Sequence, residues 1–147
     1  MGATQSKQMF SQEVSIRAHV RARPEAVWAL LTDAAGFPRW NSTVEQIEGP
    51  ITVGTKLKIR VPSAPGQTFS PTVTVADAPR TMVWQDGFFP MFQGTRTFTL
   101  TPDGDGTLFE MHERFRGLML PMIRGSLPDF GPIFERYAAD LAAAAEG

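Results

Sequence analysis

The chain has no cysteine among its 147 residues, which excludes disulfides, thiolate metal sites and a cysteine nucleophile. It has two histidines, His19 and His112, so a histidine-rich metal centre is ruled out and a serine triad fits poorly. His112 shares its strand face with Glu110, and two such residues do not hold a metal; neither metal nor cofactor is expected. Net charge is nearly absent too. Fourteen Lys and Arg stand against fifteen Asp and Glu, a balance of −1 that implies no attraction to nucleic acid or to an anionic membrane. No apolar run approaches the length of a bilayer span and no signal-peptide core is present, so the default expectation is a cytoplasmic protein. Glycine-rich phosphate loops are missing as well, because Gly104-Asp105-Gly106 is hairpin chemistry. Repeats, low-complexity tracts and interdomain linkers are not found.

What is present is an ordinary globular composition, 42% hydrophobic and 20% charged, of a length that fits one domain with a real core. The organising stretch is residues 128–145. There Phe130, Ile133, Phe134, Tyr137, Ala138, Leu141 and Ala145 recur at helical intervals, while Glu135, Arg136, Asp140 and Glu146 fall away from the stripe. Burying five large side chains at about 1.5–3 kcal/mol each amounts to roughly 10 kcal/mol, so this helix requires a large apolar platform. Gly131-Pro132 inside the pattern predicts that the helix begins near Pro132 or kinks there, with residues 117–127 forming a separate turn or short helix.

The platform is read upstream. Residues 1–13 are polar and aperiodic and are predicted to be a disordered arm, with residues 14–147 as the folded domain. Met1-Gly2 with Ser6 formally matches a myristoylation signal, but no polybasic second signal supports it, so no stable membrane anchoring is expected. Val14, Ile16, Ala18 and Val20 alternate with polar residues as in a half-buried strand. Pro24 opens a helix carrying Val27, Trp28, Leu30 and Leu31, and a second short helix spans 34–40. From Asn41 onward about six mostly antiparallel strands follow, predicted to join the first in one sheet. Their order, with helices gathered on one side, makes an α+β domain.

Two sheet positions carry chemistry. In the predicted hairpin of residues 95–101 and 107–116, Arg96 shares an apolar face with Phe98 and Leu100, and Glu113 shares one with Phe109, Met111 and Phe115. Pairing Leu100 with Phe109 sets Arg96 opposite Glu113. A charge facing the interior is costly unless paired, so mutual compensation is expected. The pair then reads as structural, as an anchor for a ligand headgroup, or as a general acid/base; no catalytic residue is assigned. Trp40 and Trp84 fit either core or ligand stacking, and Tyr137, the single tyrosine, needs a partner for its hydroxyl. Phe88, Phe89, Met91 and Phe92 lie in a segment without regular period, predicted to be a pocket rim or a homodimer contact.

These residues carry a family resemblance. Val27-Trp28 with Leu30-Leu31-Thr32-Asp33, then Phe37-Pro38-Arg39-Trp40-Asn41, resembles the opening of the START-like, or SRPBCC, superfamily. Gly49-Pro50, Val53-Gly54-Thr55, Ala78-Pro79-Arg80 before Trp84, Gly106-Thr107 and Glu113-Arg114-Phe115-Arg116-Gly117 continue it in order. The resemblance covers residues 14–145 and is to the polyketide cyclase/dehydrase and lipid-transport branch. It implies a helix-grip fold, a curved sheet wrapped around the C-terminal helix, and no single activity. On that fold the surplus of large apolar residues, Met119, Met122 and Ile123 included, predicts an internal cavity. Its expected lining is Trp40, Trp84, Phe98, Met111, Phe115, Phe130, Phe134 and Tyr137, with Arg96 and Glu113 as polar spots. The expected partner is a hydrophobic small molecule, aromatic, polyketide-like or fatty. The alternatives are a cyclase or dehydratase using the same cavity, or an interaction domain working through the 88–92 segment.

Overall fold

The computed structural model describes residues 2–147. The alternating segment forms β2 (Ser11–Val20), which buries Val14, Ile16, Ala18 and Val20 on one face. Ahead of it lies β1 (Thr4–Lys7), antiparallel to β2, with Thr4 opposite Ser15 and Lys7 opposite Gln12. This corrects the disordered arm predicted for residues 1–13, whose first residue lies outside the described residues. All four β1 side chains are exposed, so main-chain ladder bonds at a sheet edge hold the strand. Such a strand needs no apolar alternation and leaves none in the sequence.

Proline at the first position starts α1 (Pro24–Leu31), which buries Val27 and Leu31; a 3₁₀ turn (Ala34–Gly36) leads into α2 (Phe37–Trp40). Strands β3 (Gln46–Glu48) and β4 (Lys58–Arg60) then pair with each other in a ribbon of their own. The single continuous sheet expected from the sequence is thus divided. The chain around β4 still bridges to the segment leading into the next strand, through a reciprocal main-chain pair of Ile59 and Phe69, 2.8 Å each way, and a bridge between Lys56 and Thr72. Pro71 has no N–H to extend the ladder between them.

The main sheet is completed by β5 (Thr72–Asp77), β6 (Thr81–Phe88), β7 (Phe92–Asp103) and β8 (Gly106–Arg116), all antiparallel in the order β1-β2-β8-β7-β6-β5. The 88–92 segment is regular after all. Phe88 pairs with Phe92 at the end of the β6–β7 ladder, and the chain reverses over Phe89-Pro90-Met91. It escaped detection because a hairpin tip exposes both faces of its strands, so apolar and polar residues need not alternate there.

After β8 come α3 (Leu120–Ile123), a 3₁₀ turn (Arg124–Ser126) and α4 (Phe130–Glu146). The separate short helix expected within residues 117–127 is α3. α4 begins at Phe130, close to Pro132, as the first of the two expected alternatives had it. Asp129 caps it by accepting a hydrogen bond from the Gly131 N–H at 3.3 Å. Pro132 then falls in the first turn, where no intrahelical donor is required, and Gly131 has no Cβ to clash with the proline ring. The sheet curves around α4, burying Phe134, Tyr137, Ala138 and Leu141 in the helix-grip arrangement. β1 straps the start of this helix to the sheet edge. Gln5 Nε2 donates to Asp129 Oδ1 at 3.4 Å, and the Ala3 N–H donates to Glu135 Oε2 at 3.2 Å.

Candidate functional site

The inner faces of β7 and β8 look onto α4, and their register sets the site. Leu100 stands opposite Phe109, Phe98 opposite Met111, and Arg96 opposite Glu113. The Arg96 Nε donates to Glu113 Oε1 at 2.5 Å. Their side chains retain 21% and 13% of their surface, so the pair is largely buried but still touched by solvent. The Arg96 guanidinium carbon lies 5.1 Å from the Phe134 ring centre and 6.0 Å from that of Tyr137, within range of cation–π attraction to both.

Aromatic residues extend from this pair in two directions. Toward α2, the Tyr137 ring is parallel to Phe109 at 6.3 Å and meets Trp40 edge-on at 6.0 Å, while Trp84 meets Phe98 at 4.9 Å. Toward the start of α4, Phe134 meets Phe130 at 6.1 Å, Phe130 stacks on Phe115 at 5.2 Å, and Phe115 stacks on Phe92 at 5.9 Å. Of the residues predicted to line a site, Phe98, Met111, Phe134 and Tyr137 are fully buried. Trp84 and Phe115 are nearly so, and Trp40 and Phe130 are half-buried. All ten thus lie between α4, α2 and the inner sheet. Two depressions, each about 500 Å³, are open on the surface elsewhere, and none of the ten residues lines either: one lies beside the β1–β2 and β6–β7 turns, the other between α1 and the 50–53 loop.

The polar atoms inside are unevenly satisfied. Among the described residues, the Tyr137 hydroxyl and the indole N–H groups of Trp40 and Trp84 are buried without a hydrogen-bond partner. An unmet buried donor costs about 1–3 kcal/mol, so three of them within one aromatic cluster are conspicuous. Burial pushes the Tyr137 hydroxyl far above its ordinary pKa, opposed by the Arg96 charge, and the group stays protonated. Asn41, also buried, is half satisfied: its Oδ1 accepts from the Thr43 N–H and Oγ1 at 2.9 and 2.7 Å, while its Nδ2 has no partner.

Phe92, expected at a pocket rim or a homodimer contact, joins the aromatic stack through Phe115. A further contributor is a glycine. Gly94 faces Phe115 across the ladder, where a Cβ would stand 3.3 Å from the Phe115 ring and 3.8 Å from Glu113 Oε2. A lone glycine within a strand is the signal that marks such a close approach.

No curated protein matches the sequence. Among solved structures the chain is similar to a START superfamily protein from Mycobacterium smegmatis, at 20% identity over 91% of this chain and 97% of that one, with a TM-score of 0.66. It is also similar to a norcoclaurine synthase point mutant from Thalictrum flavum in complex with a transition-state analogue. There identity is 16%, coverage is 96% and 98%, and the TM-score is 0.71. A protein from Arthrobacter aurescens gives 22%, 95%, 91% and 0.66 in the same order. At these identities the likeness is one of fold. The family model for polyketide cyclase / dehydrase and lipid transport matches residues 11–146, from the first buried strand to the last turn of α4. With the START-like sheet and gripped helix in place, the chain belongs to the polyketide cyclase/dehydrase and lipid transport family.

Proposed function

We propose that the protein binds a small hydrophobic molecule with one polar end between α4 and the inner face of the sheet. The observation that carries this reading is the Tyr137 hydroxyl, buried and unpartnered near an ion pair, Arg96–Glu113, that is itself still partly reached by solvent. A ligand oxygen placed between them would accept from Tyr137 and from the free N–H groups of Arg96, recovering hydrogen bonds the protein alone leaves unmade. Its apolar body would lie along Phe134, Phe130 and Phe115, where aromatic faces offer area with little ordering cost. An aromatic, polyketide-like or fatty molecule meets both demands.

The same groups would serve a cyclase or dehydratase, and the internal carboxylate of Glu113 is the feature that favours that second reading. Tyr137, held protonated, donates but does not abstract a proton. A base would have to be Glu113, whose Oε1 is occupied by Arg96.

A thermal-shift screen of phenols, polyketide-like aromatics and fatty acids tests the binding reading. A ligand that binds only the folded state stabilises it by about 2.7 kcal/mol at a hundredfold excess over its Kd. Arg96→Met and Tyr137→Phe should weaken the shift while purely apolar probes shift all three proteins alike. A screen without a single stabilising compound, joined by native mass spectra free of bound molecules, would remove the reading.

A further inference from the structure

Three chain segments far apart in sequence meet at one end of the sheet: the β1–β2 turn, the β6–β7 turn, and the passage from β8 into α3. The register brings them there, since the start of β2 and the start of β7 both pair with the end of β8 at Arg116. Main-chain bonds join them. Gly117 N–H donates to Phe10 O at 3.0 Å, Leu118 N–H to Pro90 O at 2.9 Å, and Met119 N–H to Met91 O at 2.9 Å. Arg124 adds a clamp, donating to Gln12 Oε1 at 3.0 Å and to the carbonyls of Gln8 and Ser11 in the first turn.

This end carries most of the exposed large apolar side chains among the described residues. Met9 and Phe10 come from the first turn, Phe88, Phe89 and Met91 from the second, and Leu118 and Met122 from the third. Phe88 and Met122 are 74% and 78% exposed. Charge is segregated with them. The stretches 7–11, 86–92 and 114–124 contain four basic residues, Lys7, Arg114, Arg116 and Arg124, and a single acidic one, Asp86. Among the described residues no carboxylate forms an ion pair with any of these four, and the Arg116 guanidinium carbon lies over Phe89, 4.4 Å from its ring centre. The overall balance of −1 thus conceals a cationic, apolar end.

We propose that this end docks on the surface of an anionic lipid bilayer, the turns inserting their apolar tips among the headgroups while Arg114, Arg116 and Lys7 meet lipid phosphates. Apolar area plus basic residues is the combination that such a surface selects. A second copy of the chain is the weaker occupant. A two-fold contact through this face would set four cations against four, with one carboxylate from each side to relieve them. The inference goes beyond the cargo reading and does not depend on it, because the surface is described by its own residues.

Co-sedimentation of the full chain with vesicles tests it, using phosphatidylcholine alone and phosphatidylcholine with phosphatidylglycerol. The protein should pellet with the anionic vesicles, remain in solution with the neutral ones, and be released by added salt. Arg114→Gln should weaken binding about fivefold, the factor implied by roughly 1 kcal/mol per basic residue near an anionic surface. Phe88→Ser with Phe89→Ser should abolish it, and Leu118→Ser, in a different segment, should weaken it independently. Unchanged melting temperatures of these exposed-site variants show that the fold is retained. Equal sedimentation with both kinds of vesicle, or variants that bind as the parent does, would overturn the proposal. So would a stable dimer that the Phe88/Phe89 variant converts to monomer, which would assign the face to a second copy.

Discussion

Replacing Arg96 by methionine would leave the Glu113 carboxylate without its cation. Replacing Glu113 by glutamine would strand the guanidinium instead. Either change should cost about 3 kcal/mol, the lower end for an interior pair because solvent reaches both side chains. The double variant should lose less than the sum of the two, and thermal melts that simply add would dissolve the pair as a unit. Tyr137 gives a second test. Its hydroxyl keeps its proton in the folded state well above the pH at which an unfolded tyrosine loses it. Stability from this group is therefore full below about pH 10 and falls as pH rises beyond it, since the unfolded chain then binds fewer protons. Tyr137→Phe should flatten that alkaline decline and raise neutral-pH stability by about 1 kcal/mol, as an unmet buried hydroxyl is removed. An alkaline slope identical in both proteins would refute the assignment. The facing of Arg96 and Glu113 was legible because strand periodicity is strict and a single register suits both apolar faces. The unpartnered hydroxyl and indole N–H groups were not legible, since their partners would come from distant backbone that no local pattern encodes.

α4 depends on its first turn. Asp129→Ala removes the cap and should cost about 1 kcal/mol, visible as a lower melting temperature. Gly117, between β8 and α3, is a stronger constraint. Its φ is +143°, and a Cβ there would stand 2.3 Å from the Met91 carbonyl oxygen. Gly117→Ala should destabilise by well over the roughly 1 kcal/mol of an ordinary glycine replacement, because backbone rather than a flexible side chain blocks the space. An alanine variant that melts like the parent would show that the turn relaxes freely. Elements with a buried face were read well: β2, the β7–β8 hairpin and α4 each announce a period. The sequence was silent where pairing is made by main chain alone, as in β1, and where Pro71 interrupts a ladder. At Pro132 it marked the helix start to within a turn, because a proline that interrupts a helix interior is tolerated in a first turn behind a glycine.

Across the whole molecule, the sheet and α4 share one interior, from Val14 on β2 to Leu141 on the helix. Denaturant should accordingly unfold residues 14–147 in one transition seen alike by tryptophan emission and by circular dichroism; two separated transitions would divide the chain into independent units. The family was legible at this scale because its signature is spread along the chain in fixed order. The cationic, apolar end was not, because its three turns are separated by whole strands and helices and only the strand register makes them neighbours. One feature of the interior has an optical consequence. Trp40 and Trp84 hold their indole N–H groups without a protein acceptor, one edge-on to Tyr137 and the other to Phe98. Indole emission moves to longer wavelength when a polar acceptor approaches, so these two rings form a built-in gauge of what enters beside them. A molecule with an oxygen at its buried end should shift the emission red, and a pure hydrocarbon of the same size should leave the wavelength in place, so that titrations need no attached dye.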